Sequence, residues 1–349
     1  MRLACSVTLL SALLAAGCYD QGEGLDPPLD RIYFPVGIAL SPGKTRLYLA
    51  NSDFDLQFNG GALQALDLER IRALVPKFCT SDADCPGDKL CDTVATDANR
   101  GYPSHWCVDR DGAQAGKPCG VFGEKSPSIR AVVPGRCGNV STTHPQDGQA
   151  SLFVAEVGIG AFATDLIYRQ RPDGPGGRLF APVRGDATLH YIETNDDTET
   201  PEPFELDCGQ TADSDKCDNR HRVGDEPDVE NTRGIRLATE PYGVAAMASG
   251  EAIVVTHQTK GAASLFVNDA ASWGDGVSSY GVGPQLEFTV PGMPSRPIGV
   301  AAVPIPAVVD ELKLDYAPGF LVTFRNAAQI DLLRYYSDAQ SDPPRPFIQ

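Results

Sequence analysis

Basic residues are scarce in this sequence. Its 349 residues include 29 lysines and arginines against 46 aspartates and glutamates, which gives a formal net charge of −17 at pH 7. Proteins that bind nucleic acid neutralise its phosphates with Lys and Arg side chains. The charge therefore argues against nucleic acid as a partner and against electrostatic docking on anionic lipid, whereas it suits a protein that must stay soluble outside the cell.

Local motifs of hydrolases are also missing. The sequence has no Gly-x-Ser-x-Gly elbow and no His-Glu-x-x-His pair, and its five histidines are scattered. The segment Gly158–Ala163 fits the dinucleotide fingerprint Gly-x-Gly-x-x-Ala, but that fingerprint requires a following helix. Thr164–Tyr168 predicts a strand instead, so we interpret the glycines as part of a hairpin.

The N-terminus carries the features of a secretory signal. One arginine, an uncharged run from Leu3 to Ala16 and the small residue Gly17 precede Cys18, which is the pattern of a signal peptide over residues 1–17. The ending Leu14-Ala-Ala-Gly-Cys18 resembles a bacterial lipobox, although Ala15 stands where that family most often has leucine. The resemblance implies a lipid-anchored protein of the cell envelope of a Gram-negative-type bacterium, acylated at Cys18 and attached to the membrane by the acyl chains. An ordinary signal peptide is the alternative.

Eight cysteines remain beyond this segment, an even number that predicts four disulfides in an exported chain. Zinc is the alternative, but no Cys-x-x-Cys pair or suitably spaced histidine supports it. Cys208 with Cys217 is the one pairing that proximity favours, and the other six allow fifteen connectivities. The eight are Cys79, Cys85, Cys91, Cys107, Cys119, Cys137, Cys208 and Cys217.

A short motif, Pro-x-Gly-[Ile/Val]-Ala, occurs three times, beginning at Pro35, Pro241 and Pro297. Each copy is followed by two further β-type runs, and two more units, at 151–168 and 178–192, have paired runs without the motif. Such self-similarity, with short strands separated by tight turns, predicts an all-β β-propeller of about five recognisable blades, with a complete and an incomplete ring as the two alternatives. A β-sandwich is the alternative, but it would not explain a repeated opening motif. No apolar stripe of helical spacing and length is present, and the short stretch Leu68–Val75 is the best candidate for a helix.

The first of these units, Pro35–Asn51, resembles the YVTN-type β-propeller repeat, in which "P-x-G-hydrophobic-A" opens a blade and "L-Y-V-A-N" follows. Gln64–Asp67 lies where the family has its next strand, while Gly43-Lys44 replaces the usual Asp-Gly turn. The resemblance covers about half of the chain and implies a surface or periplasmic protein. The propeller fold hosts binding proteins and a minority of enzymes.

These patterns give the predicted organisation. Residues 18–30 form a polar tether, and residues 31–349 form the propeller. It is interrupted by a cysteine-rich insertion at 76–145, which resembles small disulfide-rich modules, and by an acidic insertion at 195–232.

Calcium is the cofactor to consider, because hard cations bind several oxygens within one short loop. Asp213, Asp215 and Asp218 are weak candidate ligands, since the Cys208–Cys217 loop could hold them together; solvated acidic loops are the alternative. No catalytic residue is assigned.

The sequence thus predicts an extracytoplasmic binding or interaction platform with a protein or glycan ligand. The alternative is a propeller enzyme, a hydrolase or lactonase, with a metal site at the central axis.

Overall fold

The structure is a computed structural model. It describes residues 24–74, 79–87, 90–93, 105–108, 150–172, 174–195, 197, 204–211, 214–224, 234–273, 283–303, 318–338, 340–341 and 345–349. Cys18, Cys119, Cys137 and Asp213 lie outside these residues.

Four antiparallel sheets make up most of the described chain, and the strands in each follow one another as a meander. The first blade consists of β1 (Pro35–Leu40), β2 (Arg46–Asn51), β3 (Gly61–Asp67) and β6 (Phe153–Ile159). The second consists of β7 (Ile167–Gln170), β8 (Gly177–Val183) and β9 (Thr188–Thr194), with β10 (Leu206–Asp207) and β11 (Arg222–Val223) both pairing with β9. The third consists of β12 (Pro241–Ala246), β13 (Ala252–His257), β14 (Ala262–Val267) and β15 (Gln285–Val290). The fourth consists of β16 (Pro297–Ala302), β17 (Gly319–Phe324), β18 (Ile330–Tyr336) and β19 (Phe347–Ile348).

The remaining elements are short. Helix α1 (Leu68–Leu74) follows β3, close to the predicted helix, and α2 (Ala270–Trp273) follows β14. Strands β4 (Leu90–Thr93) and β5 (His105–Val108) form a hairpin within the cysteine-rich insertion.

One hydrophobic core lies between each pair of consecutive blades. Tyr48 of the first blade packs with Leu179 of the second. Phe180 of the second blade packs with Ile253 of the third, and Leu265 of the third packs with Phe320 of the fourth. Because each full burial of a large apolar side chain contributes about 1.5–3 kcal/mol, these cores hold the sheets face to face. This arrangement of successive antiparallel sheets, of four strands in three blades and five in the second, is that of a β-propeller.

The prediction of about five blades differs from the four that the described residues form. Most of the run at 151–156 lies in β6, which pairs with β3 as the outer strand of the first blade. The cysteine-rich insertion separates these two strands along the chain. The second run of the predicted unit at 151–168, residues 164–168, belongs instead with the predicted unit at 178–192, and together they form the second blade. The chain's last strand, Phe347–Ile348, pairs with β18 and was not predicted.

Residues 24–31 do not hang free as a tether but lie along the first blade. The Gln64 Nε2 atom donates to the carbonyl oxygens of Leu29 and Arg31, at 2.5 and 2.9 Å. The Asn59 backbone N–H donates to the Leu25 carbonyl at 2.8 Å. The part of the predicted tether that the structure describes, residues 24–30, thus contacts the first blade.

Candidate functional site

All four blades begin with the same backbone device. In the first, third and fourth blades the residue directly before the inner strand has a positive φ; in the second blade the equivalent residue is Phe162, which precedes the isolated bridge residue Ala163 rather than β7 itself. In each blade the carbonyl of this residue accepts a hydrogen bond from the residue that follows the second strand. The four residues are Phe34, Phe162, Glu240 and Arg296, with φ of 52°, 62°, 55° and 64°. Their partners are Ser52, Arg184, Gln258 and Arg325, at 2.9–3.0 Å. We call the end of the blades at which these pairs lie the upper rim.

The second blade has this device without the sequence motif. Ala163 pairs with Val183, as Pro35 pairs with Asn51 in the first blade. Asp165 consequently stands where the other blades have the motif glycine, and its carboxylate accepts the Val244 backbone N–H of the third blade at 3.1 Å. Burial, opposed by this hydrogen bond and one from the Leu166 N–H, raises the pKa of Asp165.

A cluster of aromatic side chains occupies the upper rim above the first and second blades. Ring centroids are 5.0 Å apart for Tyr33 and Phe34, 5.1 Å for Tyr33 and Phe58, 6.5 Å for Phe34 and Phe54, and 5.9 Å for Phe54 and Phe162. Phe54 and Leu56 are each 61% exposed, and Phe34 is exposed as well. We call these five aromatic residues and Leu56 the aromatic patch.

The loop that carries much of the patch, residues 52–60, is held in a fixed shape. The Leu56 N–H donates to the Asp53 carbonyl at 3.1 Å, and the buried Asp53 carboxylate accepts the Phe58 N–H at 3.3 Å. Asp53 and Leu56 both have positive φ, 51° and 55°, a conformation that costs a residue with a side chain about 1–2 kcal/mol. Such strain tends to persist at functional sites, where the surroundings enforce it.

Polar groups border the patch. The Tyr33 hydroxyl donates to Asp55 Oδ2 at 2.6 Å, and Gln57 Nε2 donates to the same atom at 2.7 Å. The hydrogen bond to Asp55 raises the pKa of Tyr33 to about 12, so the phenol keeps its proton at neutral pH. On the other side, the Arg184 guanidinium lies 5.9 Å from the Phe162 ring centroid and 3.1 Å from a carboxylate oxygen of Glu240.

A second polar cluster is buried between the second and third blades and has a structural role. Arg178 is fully buried; it pairs with Glu193, donates to Asn268 Oδ1 at 2.8 Å and lies over the Trp273 ring at 4.3 Å. Burial, opposed by the Glu193 charge, lowers the pKa of Arg178, and burial raises that of Glu193. No local sequence motif predicts this cluster, because Arg178 and Asn268 are 90 residues apart in the sequence.

The described cysteines form three disulfides. Cys208 is joined to Cys217, the pair that proximity favours, and the insertion contains Cys79–Cys91 and Cys85–Cys107. The sulfur atoms of Cys79, Cys85 and Cys107 lie within 4.8 Å of one another. Since these sulfurs are in disulfides, no thiolate is available there for a metal.

Hydrogen bonds from the acidic insertion, which follows the strands of the second blade, connect it to the first blade. The Asp197 carboxylate accepts hydrogen bonds from the Ser41 and Thr45 hydroxyls and from the Gly43 N–H, all in the β1–β2 turn. In the Cys208–Cys217 loop, the Gly158 N–H on β6 donates to the Asp215 carbonyl at 2.7 Å, and the Cys217 N–H donates to the Gly158 carbonyl at 2.9 Å.

These contacts also give the positions of the weak calcium candidates. The Asp218 carboxylate accepts hydrogen bonds from the backbone N–H and the Nδ1 atom of His221. Asp215 contributes its backbone carbonyl, which accepts the Gly158 N–H. Within the described chain, neither carboxylate belongs to a group of three potential ligand side chains.

No protein-family model matches the chain, and no curated protein sequence matches it significantly. Among solved structures, it is similar to a protein of Bacteroides uniformis assigned provisionally as a 6-phosphogluconolactonase, at 10% identity and a TM-score of 0.36, over 92% of this chain and 58% of that one. It is also similar to the β-propeller domain of Cps50 (Swd1) from Myceliophteria thermophila, at 9% identity and a TM-score of 0.32, over 85% and 82% of the two chains. A third is the periplasmic gluconolactonase PpgL of Pseudomonas aeruginosa, at 14% identity and a TM-score of 0.30, over 90% and 72%. At these identities and TM-scores, neither a ligand nor an activity can be transferred to this chain.

The disulfides are typical of a protein that resides outside the cytoplasm. In the described part of the chain, no helix has the length and apolar character needed to cross a membrane.

Proposed function

We propose that this chain is a lipid-anchored extracytoplasmic β-propeller that binds another exported protein through the aromatic patch on its upper rim. The observation that carries the proposal is the exposure of Phe54 and Leu56, each 61%, on a loop whose backbone is fixed. Exposed apolar clusters rimmed by polar groups mark protein interaction sites, and aromatic side chains, Phe and Tyr among them, are enriched in such interfaces.

The composition of the patch favours a protein over a glycan as the ligand. Phe34, Phe54 and Leu56 offer apolar surface with no hydrogen-bonding atom in their side chains. The bordering groups Asp55 and Arg184 carry opposite charges, so they can fix the orientation of a polypeptide that brings both signs. Because the fixed loop needs little ordering on binding, the entropic cost of association is reduced.

The enzyme alternative requires acidic or histidine side chains from several blades to converge on a metal. Across the residues that the structure describes, the one group of three potential ligands is the disulfide-bonded set Cys79, Cys85 and Cys107, which lies in the cysteine-rich insertion and includes no acidic or histidine side chain. No specific observation therefore favours catalysis over binding.

Site-specific photo-crosslinking in the producing cell tests the proposal. A benzophenone amino acid would replace Phe54 in one variant and Ser249, in the exposed β12–β13 turn, in the control. We expect a discrete adduct with another exported protein at position 54 and none at position 249. With the benzophenone at Gln57, the additional substitution F54A should weaken the same adduct.

Two outcomes would contradict the proposal. Absence of any adduct at position 54, or the same adducts at 54 and 249, would show that the patch is not a specific protein contact. Binding of the purified protein to a glycan array that F54A abolishes, without a protein adduct in the cell, would assign the patch to a glycan instead.

A further inference from the structure

The charge of the third and fourth blades differs between their two ends. At the upper rim, three turns of these blades carry three basic residues and no acidic residue. The turns are residues 258–261, 291–296 and 325–329, and the basic residues are Lys260, Arg296 and Arg325. At the lower end, the described loops of the same blades carry three acidic residues and one basic residue, namely Glu251, Asp269, Asp338 and Arg345. The net charge of −17 is therefore not spread evenly over the surface.

The three turns of the upper rim form one continuous surface. The Met293 N–H donates to the Gly261 carbonyl at 2.8 Å, and the Arg325 N–H donates to the Arg296 carbonyl at 2.9 Å. Lys260, Arg296 and Arg325 are all exposed. Within the part of the chain that the structure describes, none of these three side chains forms an ion pair. We call the three residues the basic arc.

Apolar surface adjoins the basic arc. An open groove lies between the β15–β16 turn and β18, and its lining includes Pro291, Met293 and Ile330. Ile330 is 64% exposed. Asp331 also lines the groove, and its carboxylate accepts a hydrogen bond from Gln329 Nε2 at 2.8 Å. Basic side chains next to exposed apolar ones are typical of surfaces that lie on a membrane, where the apolar groups enter the headgroup region and the basic groups attract anionic lipid.

The chain approaches the proposed lipid anchor at this same end of the blades. The Asn59 N–H donates to the Leu25 carbonyl at 2.8 Å, and Asn59 Nδ2 donates to the Asp26 carboxylate at 3.2 Å. Asn59 belongs to the upper-rim loop that carries the aromatic patch. Six residues separate Gly24 from Cys18, and a chain of that length spans at most about 20 Å. An acylated Cys18, as proposed above, therefore holds the upper rim close to the membrane.

We propose that the basic arc binds the headgroups of anionic phospholipids in the anchoring membrane, so that the upper rim lies on the bilayer. Each basic side chain near such a surface raises the affinity by about five-fold. The lower end is acidic and would be repelled, so the charge also selects the orientation. A lipid surface is favoured over an acidic protein because the anchor keeps the membrane within reach of the arc.

This inference rests on the proposed function for the anchor and goes beyond it by assigning a second contact. It also bears on the aromatic patch. Because the patch and the basic arc share the upper rim, a rim that lies on the bilayer directs the patch toward the same membrane. The protein that binds the patch would then itself be embedded in that membrane or attached to it.

Lipid photo-crosslinking of the acylated full chain, reconstituted into vesicles, tests the arc. A benzophenone amino acid would replace Thr259, next to Lys260, in one variant and Ser249, at the lower end of the same blade, in the control. Mass spectrometry detects a phospholipid adduct. With about 30% phosphatidylglycerol in phosphatidylcholine, we expect an adduct at position 259 at least about five times more abundant than in phosphatidylcholine alone. We expect none at position 249.

Two triple variants with the same change in net charge test the role of the basic side chains. K260Q/R296Q/R325Q should reduce the adduct at position 259 to the level in phosphatidylcholine. K44Q/R70Q/R72Q removes three exposed basic residues at the lower end of the first blade and should leave the adduct unchanged. Circular dichroism checks that both variants fold.

Three results would overturn the proposal: equal yields in the two kinds of vesicle, equal yields at positions 249 and 259, or an adduct that K260Q/R296Q/R325Q leaves intact. Failure of the proposed function gives different results. A lipid adduct at position 259 without a protein adduct at position 54 would contradict only the protein ligand of the patch. A purified chain whose mass shows no acyl groups would contradict the anchor, and the same lipid adducts would still decide whether the arc binds the membrane.

Discussion

Arg178 of the second blade donates a hydrogen bond to Asn268 of the third at 2.8 Å, and both side chains are buried between the two sheets. The same guanidinium pairs with Glu193 of its own blade. One side chain therefore satisfies buried polar groups on both sides of a blade interface, where an unpaired group would be costly.

We expect R178A to lower the free energy of unfolding by about 3–5 kcal/mol, because it leaves the Glu193 carboxylate buried without a partner. Urea denaturation followed by circular dichroism measures the change. R325A removes an exposed arginine of the fourth blade and should change stability by less than about 0.5 kcal/mol. Equal losses in the two variants would show that the buried pair has no special role.

Asp197 should make stability depend on pH. Burial would raise the pKa of its carboxyl, but the hydrogen bonds from Ser41, Gly43 and Thr45 outweigh burial and hold the pKa below its ordinary value. A carboxyl whose folded-state pKa is depressed contributes stability above its unfolded pKa of about 3.9 and loses it as the pH falls through the lower folded value.

The substitution D197A is therefore expected to cost about 1–3 kcal/mol at pH 7, and the difference from wild type should shrink below about pH 4. Thermal unfolding across pH 2.5–7 is the measurement. E205A, which removes an exposed carboxylate of the same insertion, should show no such trend; a difference for D197A that stays constant with pH would refute the role of the charge.

The Cys208–Cys217 disulfide staples the loop that pairs with β6 of the first blade. Replacing both cysteines by serine should lower stability by about 2–4 kcal/mol, since the crosslink restricts the unfolded chain. Thermal unfolding gives the loss, and thiol counting on the unreduced wild-type protein should find almost no free thiol. An unchanged melting temperature, or several reactive thiols, would contradict the prediction.

The proposed lipid anchor makes a prediction about location. C18S removes the acylated side chain, so we expect the protein to move from the membrane fraction to the soluble extracytoplasmic fraction, because the acyl chains provide the membrane affinity. Fractionation and immunoblotting measure it, with C5S, a change within the predicted signal peptide, as the control. Retention of C18S on membranes would show that another feature holds the protein there.

The sequence was informative where local chemistry repeats. Proline and glycine mark the inner strands of three blades, and the all-β propeller follows from them. The runs of the second blade were predicted but divided between two units, because Ala163 and Asp165 replace the motif's proline and glycine. The hydrogen bond from the Arg184 N–H to the Phe162 carbonyl, which reveals the equivalence, has no sequence signature.

Contacts distant in sequence could not be predicted at all. The Asp197 carboxylate accepts a hydrogen bond from the Ser41 hydroxyl, which is 156 residues away in the sequence. The sequence by itself suggests only that this acidic stretch is solvated. The aromatic patch combines loop residues 52–60 with Phe162, which the chain separates by about a hundred positions. A single sequence holds the residue types but not the proximity that gives them a role.

The positive-φ residue that opens each blade has an evolutionary consequence. Its backbone hydrogen bond is the same in every blade, yet its side chain is phenylalanine twice, then glutamate, then arginine. The side chain at this position can therefore change in one blade at a time, and with it the surface chemistry of the rim, while the backbone geometry stays the same.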